Sequence, residues 1–438
     1  MYSAVVVADD LTGAMDTAHG FAVRGHDASV VAIPSSDGAA GAERAEATVL
    51  GVNTDSRYAD EGDAAAAVRG VVESVPADAV YKKVDSTLRG NLAAEVDAAL
   101  AASGAAVALV APAFPAAART TEGGVHRVEG TPVAGTEYGD DEKGPASSSL
   151  PESFAGLDRP VVTVPLEAVE AGPERVAAEL ETAVERSERA PIVVPDATEE
   201  GHLATVAAAG GAVEGGTLYV GSGGLAAHVD VPVPSVDADE PAAGTRGDRS
   251  ARQSTTGAPL GVVGSVNATT LAQLEAVPDE AVVELDPTEL LAEEGTGPDG
   301  TASEAVETLR AGRPAVLTAA TDRAAVDRTV AAGRDRGLPT EEVRERVADG
   351  LADVAALAVR EGEPSGLVLT GGDVAVAVLR SLGATTVELT GEDVGAGVPV
   401  GRLVDGIGAG TPVVTKAGGF GARETIVNSL EAVGRFDE

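Results

Sequence analysis

Ala79-Val80-Tyr81-Lys82-Lys83-Val84-Asp85-Ser86-Thr87-Leu88-Arg89-Gly90-Asn91 passes from an apolar, strand-like lead-in to a dense polar stretch. Within it lie two ammonium groups, a carboxylate, two hydroxyls and a guanidinium, and a helix-like run from Leu92 to Ala101 follows. Such a segment leaves a sheet, presents charge at the strand end and enters a helix whose free N–H groups favour anions. One reading is a small-molecule anion site. The other is structural: Asp85 or Ser86 caps the helix while the basic groups face solvent.

The same strand-to-helix pattern recurs outward from this stretch. Residues 4–8 form a short continuous apolar run, as expected of a strand buried on both faces of a parallel sheet. Asp9-Asp10-Leu11-Thr12-Gly13-Ala14 follows at its carboxyl end, and Asn53-Thr54-Asp55-Ser56-Arg57 follows a third strand at 48–52. Ala-rich amphipathic segments such as 63–75 separate the strands. This alternation predicts a doubly wound α/β fold, in which ligands bind beyond the carboxyl ends of strands. The strand at 107–111 ends in Pro112-Ala113-Phe114-Pro115, which stiffens the loop carrying Arg119, Thr120 and Thr121. Residues 123–132 read as a strand pair with tight turns, and 138–151 as a polar loop.

From Val231 to Pro259 the apolar periodicity stops, and a second α/β half begins at Leu260. The expected organisation is two domains, 1–230 and 260–438, joined by a linker or excursion at 231–259. Each is expected to be a mainly parallel sheet flanked by helices, with an active-site cleft between them.

Composition narrows the function. The formal net charge is -39, spread along 438 residues, and Lys82, Lys83, Lys143 and Lys416 are the only lysines. An acidic solvated surface of this kind repels itself in dilute buffer, and molar salt screens that repulsion. The expectation is a cytoplasmic protein of a salt-in halophile. The same charge argues against nucleic acid, which needs a basic face, and aromatics at 2% supply no stacking platform. With no Cys, disulfides, thiol catalysis and Cys-based metal sites are excluded. The five His (His19, His26, His126, His202, His228) show no zinc-ligand spacing and read as surface or core-edge groups. No residue set is assigned to a protein-held metal. Met1 runs directly into the first strand without a signal peptide, and no apolar run approaches the roughly 20 residues that span a bilayer.

The second half places three Gly turns directly after apolar strands: Gly264-Ser265, Thr370-Gly371-Gly372-Asp373, and Lys416-Ala417-Gly418-Gly419-Phe420-Gly421. Glycine lets backbone N–H groups approach phosphate oxygens, the following helix N-terminus favours negative charge, and Lys416 adds a point charge. A Gly turn also serves a plain tight bend, but three at one sheet edge favour a nucleotide-phosphate site. No P-loop motif and no dinucleotide fingerprint occur. Asp373 is either a helix cap or a group near the phosphates or their Mg²⁺.

Taken together, the Ala8–Ala14 run with Asp16, Lys82–Asn91 with Glu95, 111–121, Thr370–Asp373 and Lys416–Gly421 resemble the four-carbon acid sugar kinase family, in the family's order and over nearly the whole chain. The resemblance implies an N-terminal domain that binds a four-carbon sugar acid and a C-terminal domain that binds ATP. It implies phosphorylation of the 4-hydroxyl of erythronate, threonate or a 3-oxo-tetronate, in a haloarchaeal-type member. Carried over by motif, ATP contacts fall on Ser265, on Gly371, Gly372, Asp373 and Val374, and on Gly418 or Gly419, with Lys416 beside them. Val374 stands where Thr is usual, and Lys416-Ala417 replaces a Lys-Ser pair.

A kinase mechanism assigns these residues as follows. The substrate carboxylate needs a cationic clamp, which Arg89 supplies in bidentate fashion with Lys82 or Lys83 as a second charge. Asp9, Asp10 and Asp85 suit the hydroxyl end, with Asp10 or Asp85 as the base, although one of Asp9 and Asp10 could do no more than cap the next helix. Ser86, Gly90, Asn91 and Arg119 complete the expected substrate contacts, and Mg²⁺ bridges the ATP phosphates. A non-catalytic sugar-acid sensor would bind without ATP turnover and leaves Lys416 and the Gly turns unexplained. An oxidoreductase lacks its fingerprint, and an aldolase would need a desolvated Lys. A homo-oligomer stays open.

Overall fold

The computed structural model describes residues 1–33, 47–231, 257–291 and 299–435. It divides into two compact units, Met1–Pro234 and Ser235–Glu438. Most of the expected linker, 231–259, lies outside the described residues.

The first unit runs β1 (Tyr2–Ala8), α1 (Leu11–Ala22), β2 (Ala28–Val31), β3 (Val49–Asn53), α2 (Glu61–Ser74), β4 (Ala77–Lys83), α3 (Leu92–Ser103) and β5 (Val107–Ala111). A small antiparallel sheet follows, made of β6 (Arg119–Glu122), β7 (Val125–Val128) and β8 (Thr131–Pro132), then β9 (Val161–Val164), β10 (Ile192–Pro195) and β11 (Thr217–Gly221). The main strands lie in the order β2-β3-β1-β4-β11-β5-β10-β9, all parallel. Their apolar runs are buried on both faces; Val5, Val7, Leu50, Val52, Val110 and Val220 are each at most 2% exposed. Each such side chain contributes roughly 1.5–3 kcal/mol of burial. Ala8 stands level with both Asn53 and Lys83, and Lys83 with Gly221. The loops after β3, β1, β4 and β11 therefore emerge side by side.

The second unit contains β12 (Leu260–Val263), β13 (Val282–Glu284), β14 (Ala315–Thr318), β15 (Leu367–Thr370), β16 (Thr386–Gly395), β17 (Val398–Leu403) and β18 (Pro412–Lys416). Their order is β13-β14-β12-β15-β18-β17-β16. Pairing is parallel as far as β18, while β17 and β16 join antiparallel. Val263 is level with Thr318 and Thr370, and Thr370 with Lys416, so three strand ends again form one edge. Helix Thr340–Gly362 is the longest described.

Both units are thus mainly parallel sheets flanked by helices, as expected. The strand pair expected over 123–132 is β7 with β8, and β6 adds a third strand on the other side of β7; the β16–β17 hairpin has no counterpart in the sequence reading. Among the described residues no helix is long and apolar enough to cross a membrane.

Candidate functional site

In the first unit the strand-end loops gather acids and bases into one cluster. Arg57, from the loop after β3, grips Asp9 with Nε to Oδ2 at 2.8 Å and Nη2 to Oδ1 at 3.1 Å. The same guanidinium reaches Asp10, with Nη2 to Oδ1 at 2.9 Å. Asp10 also caps α1, accepting from Gly13 N at 3.0 Å and from the Thr12 hydroxyl at 2.6 Å. In the loop after β4, Asp85 accepts from Arg89 Nε at 2.6 Å and from Thr87 Oγ1 at 2.5 Å. That loop holds two left-handed residues, Leu88 (φ 61) and Gly90 (φ 92). A Cβ on Gly90 would lie 3.1 Å from Asp9 Oδ2, so glycine permits the loop to close over the Asp9–Arg57 pair. Lys83, nearly buried, donates to Val84 O at 2.9 Å; a Cβ on Gly13 would meet its Nζ, also at 2.9 Å.

Charge sorts the four carboxylates near this point. Burial works against the charged form of Asp85, but Arg89 and Arg57 outweigh it and hold its carboxyl far below the usual range. Burial also opposes charge on Asp10, and Arg57, Lys83 and the Thr12 hydroxyl again prevail. Asp16, one turn further along α1, behaves in the opposite sense. Burial raises it, and the positive charges of Lys83 and His19 offset that only in part. Its side chain is partly exposed, and among the described residues none donates a hydrogen bond to it.

Several predicted site residues turn out to hold the loops in place. Lys82 is fully buried, paired with Glu95 of α3 at 2.9 Å, and also donates to Lys83 O at 2.6 Å. Ser56 Oγ donates to the other oxygen of Glu95 at 2.6 Å. The ammonium of Lys82, expected to be catalytic, lies inside the sheet–helix interface. Asn91 Nδ2 donates to Ser56 O and Ala59 O, tying the β3 loop to the β4 loop. The Ser86 carbonyl lies 2.8 Å from His126 Nε2, while His126 Nδ1 lies 3.0 Å from Thr121 Oγ1. His126 is fully buried rather than a core-edge group, and burial pulls it down to about 4, so the neutral ring pins the Ser86 backbone to β6. Arg119 sits at the start of β6, where Nη1 donates to Ala117 O, and its positive charge acts on His126.

In the second unit the three Gly turns pack on one another. A Cβ on Gly418 would lie 2.2 Å from Ser265 Oγ, and one on Gly371 (φ 89) would lie 3.0 Å from Ser265 N. A Cβ on Gly264 would meet Val374 at 2.1 Å. Thr270 Oγ1 links the turns, 2.8 Å from Gly418 O and 3.2 Å from Ser265 Oγ. Lys416 is 1% exposed, with Nζ 2.9 Å from Ala417 O and 3.3 Å from both Gly418 O and Phe420 O. Gly371 occupies the position before helix Gly372–Leu382, with Asp373 in its first turn. Gly372 opens that helix, and Gly419 follows Gly418 in the Lys416 loop. The result is a cradle of main-chain groups at the level ends of β12, β15 and β18.

The comparisons with known proteins agree with this division. The description "Sugar-binding N-terminal domain" matches residues 4–229, and "Nucleotide-binding C-terminal domain" matches residues 260–426. A D-threonate kinase of Bordetella bronchiseptica is 37% identical over 92% of this chain and 90% of its own length. The chain belongs to the four-carbon acid sugar kinase family. A D-erythronate kinase of Heliobacterium modesticaldum is 32% identical over 93% of this chain and 91% of its own length. A solved Haemophilus influenzae protein covers 98% of this chain and all of its own with a TM-score of 0.68; at 20% identity that likeness shows the fold.

In the first unit, the sequence reading placed Arg57 only within a polar strand-end cluster and gave Tyr138 and Asp141 no role beyond a polar loop. Arg89 lies over the Tyr138 ring at 5.4 Å, its Nη1 is 3.9 Å from Asp141, and Tyr58 donates to Asp141 at 3.2 Å. Lys143 Nζ reaches Ala59 O and Asn91 Oδ1, and Gly90 N donates to Lys143 O. The polar stretch after Tyr138 thus packs on the Arg89 loop. Its Lys, one of four in an otherwise Arg-based chain, was the available signal.

Proposed function

We propose that this chain is an ATP-dependent kinase that transfers a phosphoryl group to the 4-hydroxyl of a four-carbon sugar acid such as threonate or erythronate. Kinase relatives matched over nine-tenths of the chain support that reading. The observation that carries it here is the strand-end cluster of Arg57, Lys83 and Arg89 with Asp9, Asp10, Asp16 and Asp85. Cationic groups hold the substrate carboxylate there, and acids orient its hydroxyls. Arg89 already engages Asp85 through Nε, so its remaining N–H groups and Lys83 form the clamp. Arg119, Ser86 and Gly90 line the same loops, while Asn91 sets their spacing.

The base is Asp16 rather than Asp10 or Asp85. Those two are saturated by Arg57, Arg89 and local hydroxyls, and their lowered proton affinity makes them weak acceptors. Asp16 is the carboxylate whose charge is least compensated, so it is best placed to take the proton of the attacking alcohol. In the nucleotide-binding unit the main-chain amides of Ser265, Gly371–Val374 and Gly418–Gly419 hold the phosphates, with no room for a side chain at Gly418 or Gly264. Mg²⁺ supplies charge neutralisation on the phosphates. Among the described residues no group of three or more His, Cys, Asp or Glu is placed to hold a metal ion by itself.

The test is ADP release from Mg-ATP with a panel of tetronates in molar KCl. Asp16→Asn should lower kcat by roughly 10²–10⁴-fold with KM for the acid little changed, and should abolish the acid limb of the wild-type pH–rate profile. Protonation of Asp16 removes the base, and burial shifts that limb upward from where an exposed carboxylate would put it. If Asp16→Asn keeps its rate while Asp85→Asn loses it, the base is Asp85.

A further inference from the structure

Among the described residues, the hydrogen-bond partners of the family-motif cation Lys416 are all uncharged. Its Nζ is surrounded by Thr270 Oγ1 at 3.2 Å and by the carbonyls of Ala417, Gly418 and Phe420. Among the described residues no carboxylate lies within ion-pair distance of it, although the chain carries 70 Asp and Glu. Four oxygens facing one nitrogen suit an ammonium, which donates three hydrogen bonds. A neutral amine would turn a lone pair toward some of those oxygens and loosen the loop.

That loop is the cradle itself. Gly418, whose carbonyl Lys416 and Thr270 both contact, packs against Ser265, and Gln273 Nε2 holds Phe420 O and Ala422 O at 3.0 and 2.9 Å. The elements packed on Lys416 therefore present Ser265, Thr270, Gln273 and main-chain groups, none of them titratable near neutrality. The charged residues flanking the cradle, Asp373, Glu275 and Arg423, do not shift it, and burial alone pulls it down to about 8. A buried cation without a counter-charge stands at the edge where an anion is expected.

We propose that Lys416 is charge-coupled to bound nucleotide: the phosphates settle into the cradle with Lys416 protonated, and binding in mildly alkaline solution draws a proton from solvent on to this side chain. The coupling rests on the nucleotide reading of the second unit and deepens it. Lys416 is a positioning residue here, holding the 417–420 carbonyls inward so that the amides face the phosphates. The phosphate charge supplies the missing partner, and each stabilises the other.

The experiment is calorimetric titration of the full chain with Mg-ADP in molar KCl, from about pH 7.5 upward, in two buffers of different ionisation enthalpy. Wild type should bind with a constant Kd until about pH 8 and then weaken by up to roughly tenfold per pH unit, with proton uptake approaching one per nucleotide. Lys416→Met should bind more weakly at pH 7.5 and show neither the slope nor the uptake. Thr270→Val keeps the lysine but removes one of its oxygen partners, so weakening should begin at lower pH; this variant serves if Lys416→Met does not fold. Tight binding with a flat wild-type profile, or uptake that persists in Lys416→Met, overturns the proposal alone. No binding at any pH overturns the nucleotide reading and the proposal with it.

Discussion

Arg57 neutralises two carboxylates from a neighbouring loop, and the side chains of Asp9 and Arg57 are 2% and 12% exposed. Removing one partner of such a pair leaves a charge in low dielectric, which typically costs roughly 3–5 kcal/mol. Arg57→Met should therefore lower the stability of the protein by about that amount in chemical denaturation, and raise KM for the sugar acid as the loops after β1 and β3 separate. A change below about 1 kcal/mol would mean that Asp9 and Asp10 are neutralised by another group. The sequence showed Arg57 only as the last residue of a polar strand-end cluster. Its partners lie 47 and 48 residues away, and their meeting depends on Ala8 standing level with Asn53, a register that no local pattern encodes. Asp10 shows the converse. Its capping role was legible because Gly13 and Thr12 are near neighbours, and the Arg57 grip on the same carboxylate was not.

At the level of elements, adjacency in sequence misled where strand geometry separates neighbours. Lys82 and Lys83 look like one pair of charges, but successive strand residues point to opposite faces. Lys83 therefore stays with Asp10 and Asp85, while Lys82 enters the interface with α3 and meets Glu95. Either Lys82→Met or Glu95→Gln alone should destabilise by roughly 3–5 kcal/mol, and Lys82→Met with Glu95→Leu should regain most of that loss. Turnover per folded molecule in the double variant should stay near wild type; a loss as deep as that of Asp16→Asn would restore Lys82 to the chemistry. The parallel strands were readable because burial on both faces gives unbroken Val, Ala and Leu runs. The β16–β17 hairpin was not, since Val387 and Leu389 alternate briefly before Thr390-Gly391-Glu392-Asp393 breaks the pattern. The glycine turns were legible as motifs, and their packing against Ser265 and Val374 emerged only from the level ends of β12, β15 and β18.

For the whole molecule, the net charge should set the salt conditions under which the protein stays folded. A formal charge of -39 on 438 residues, with 31 basic groups against 70 acidic ones, makes the folded surface self-repelling. Several of the basic groups are committed to internal pairs with acids, among them Arg57, Lys82 and Arg89, so these pairs leave the surface excess of negative charge essentially intact. Raising ionic strength from about 0.1 M to about 1 M shortens the Debye length from roughly 10 to 3 Å, below the spacing of most surface charges. If repulsion limits stability, the thermal midpoint should climb steeply with KCl up to about 1 M and then level off. An excluded solute acts differently, since its effect grows steadily with concentration and needs no charge. Sucrose at matched osmolarity should therefore fail to replace KCl below 1 M. A midpoint independent of salt, or one that sucrose restores equally well, would show that the acidic surface is not what governs folding, and would remove the basis for reading the chain as adapted to a salt-rich interior.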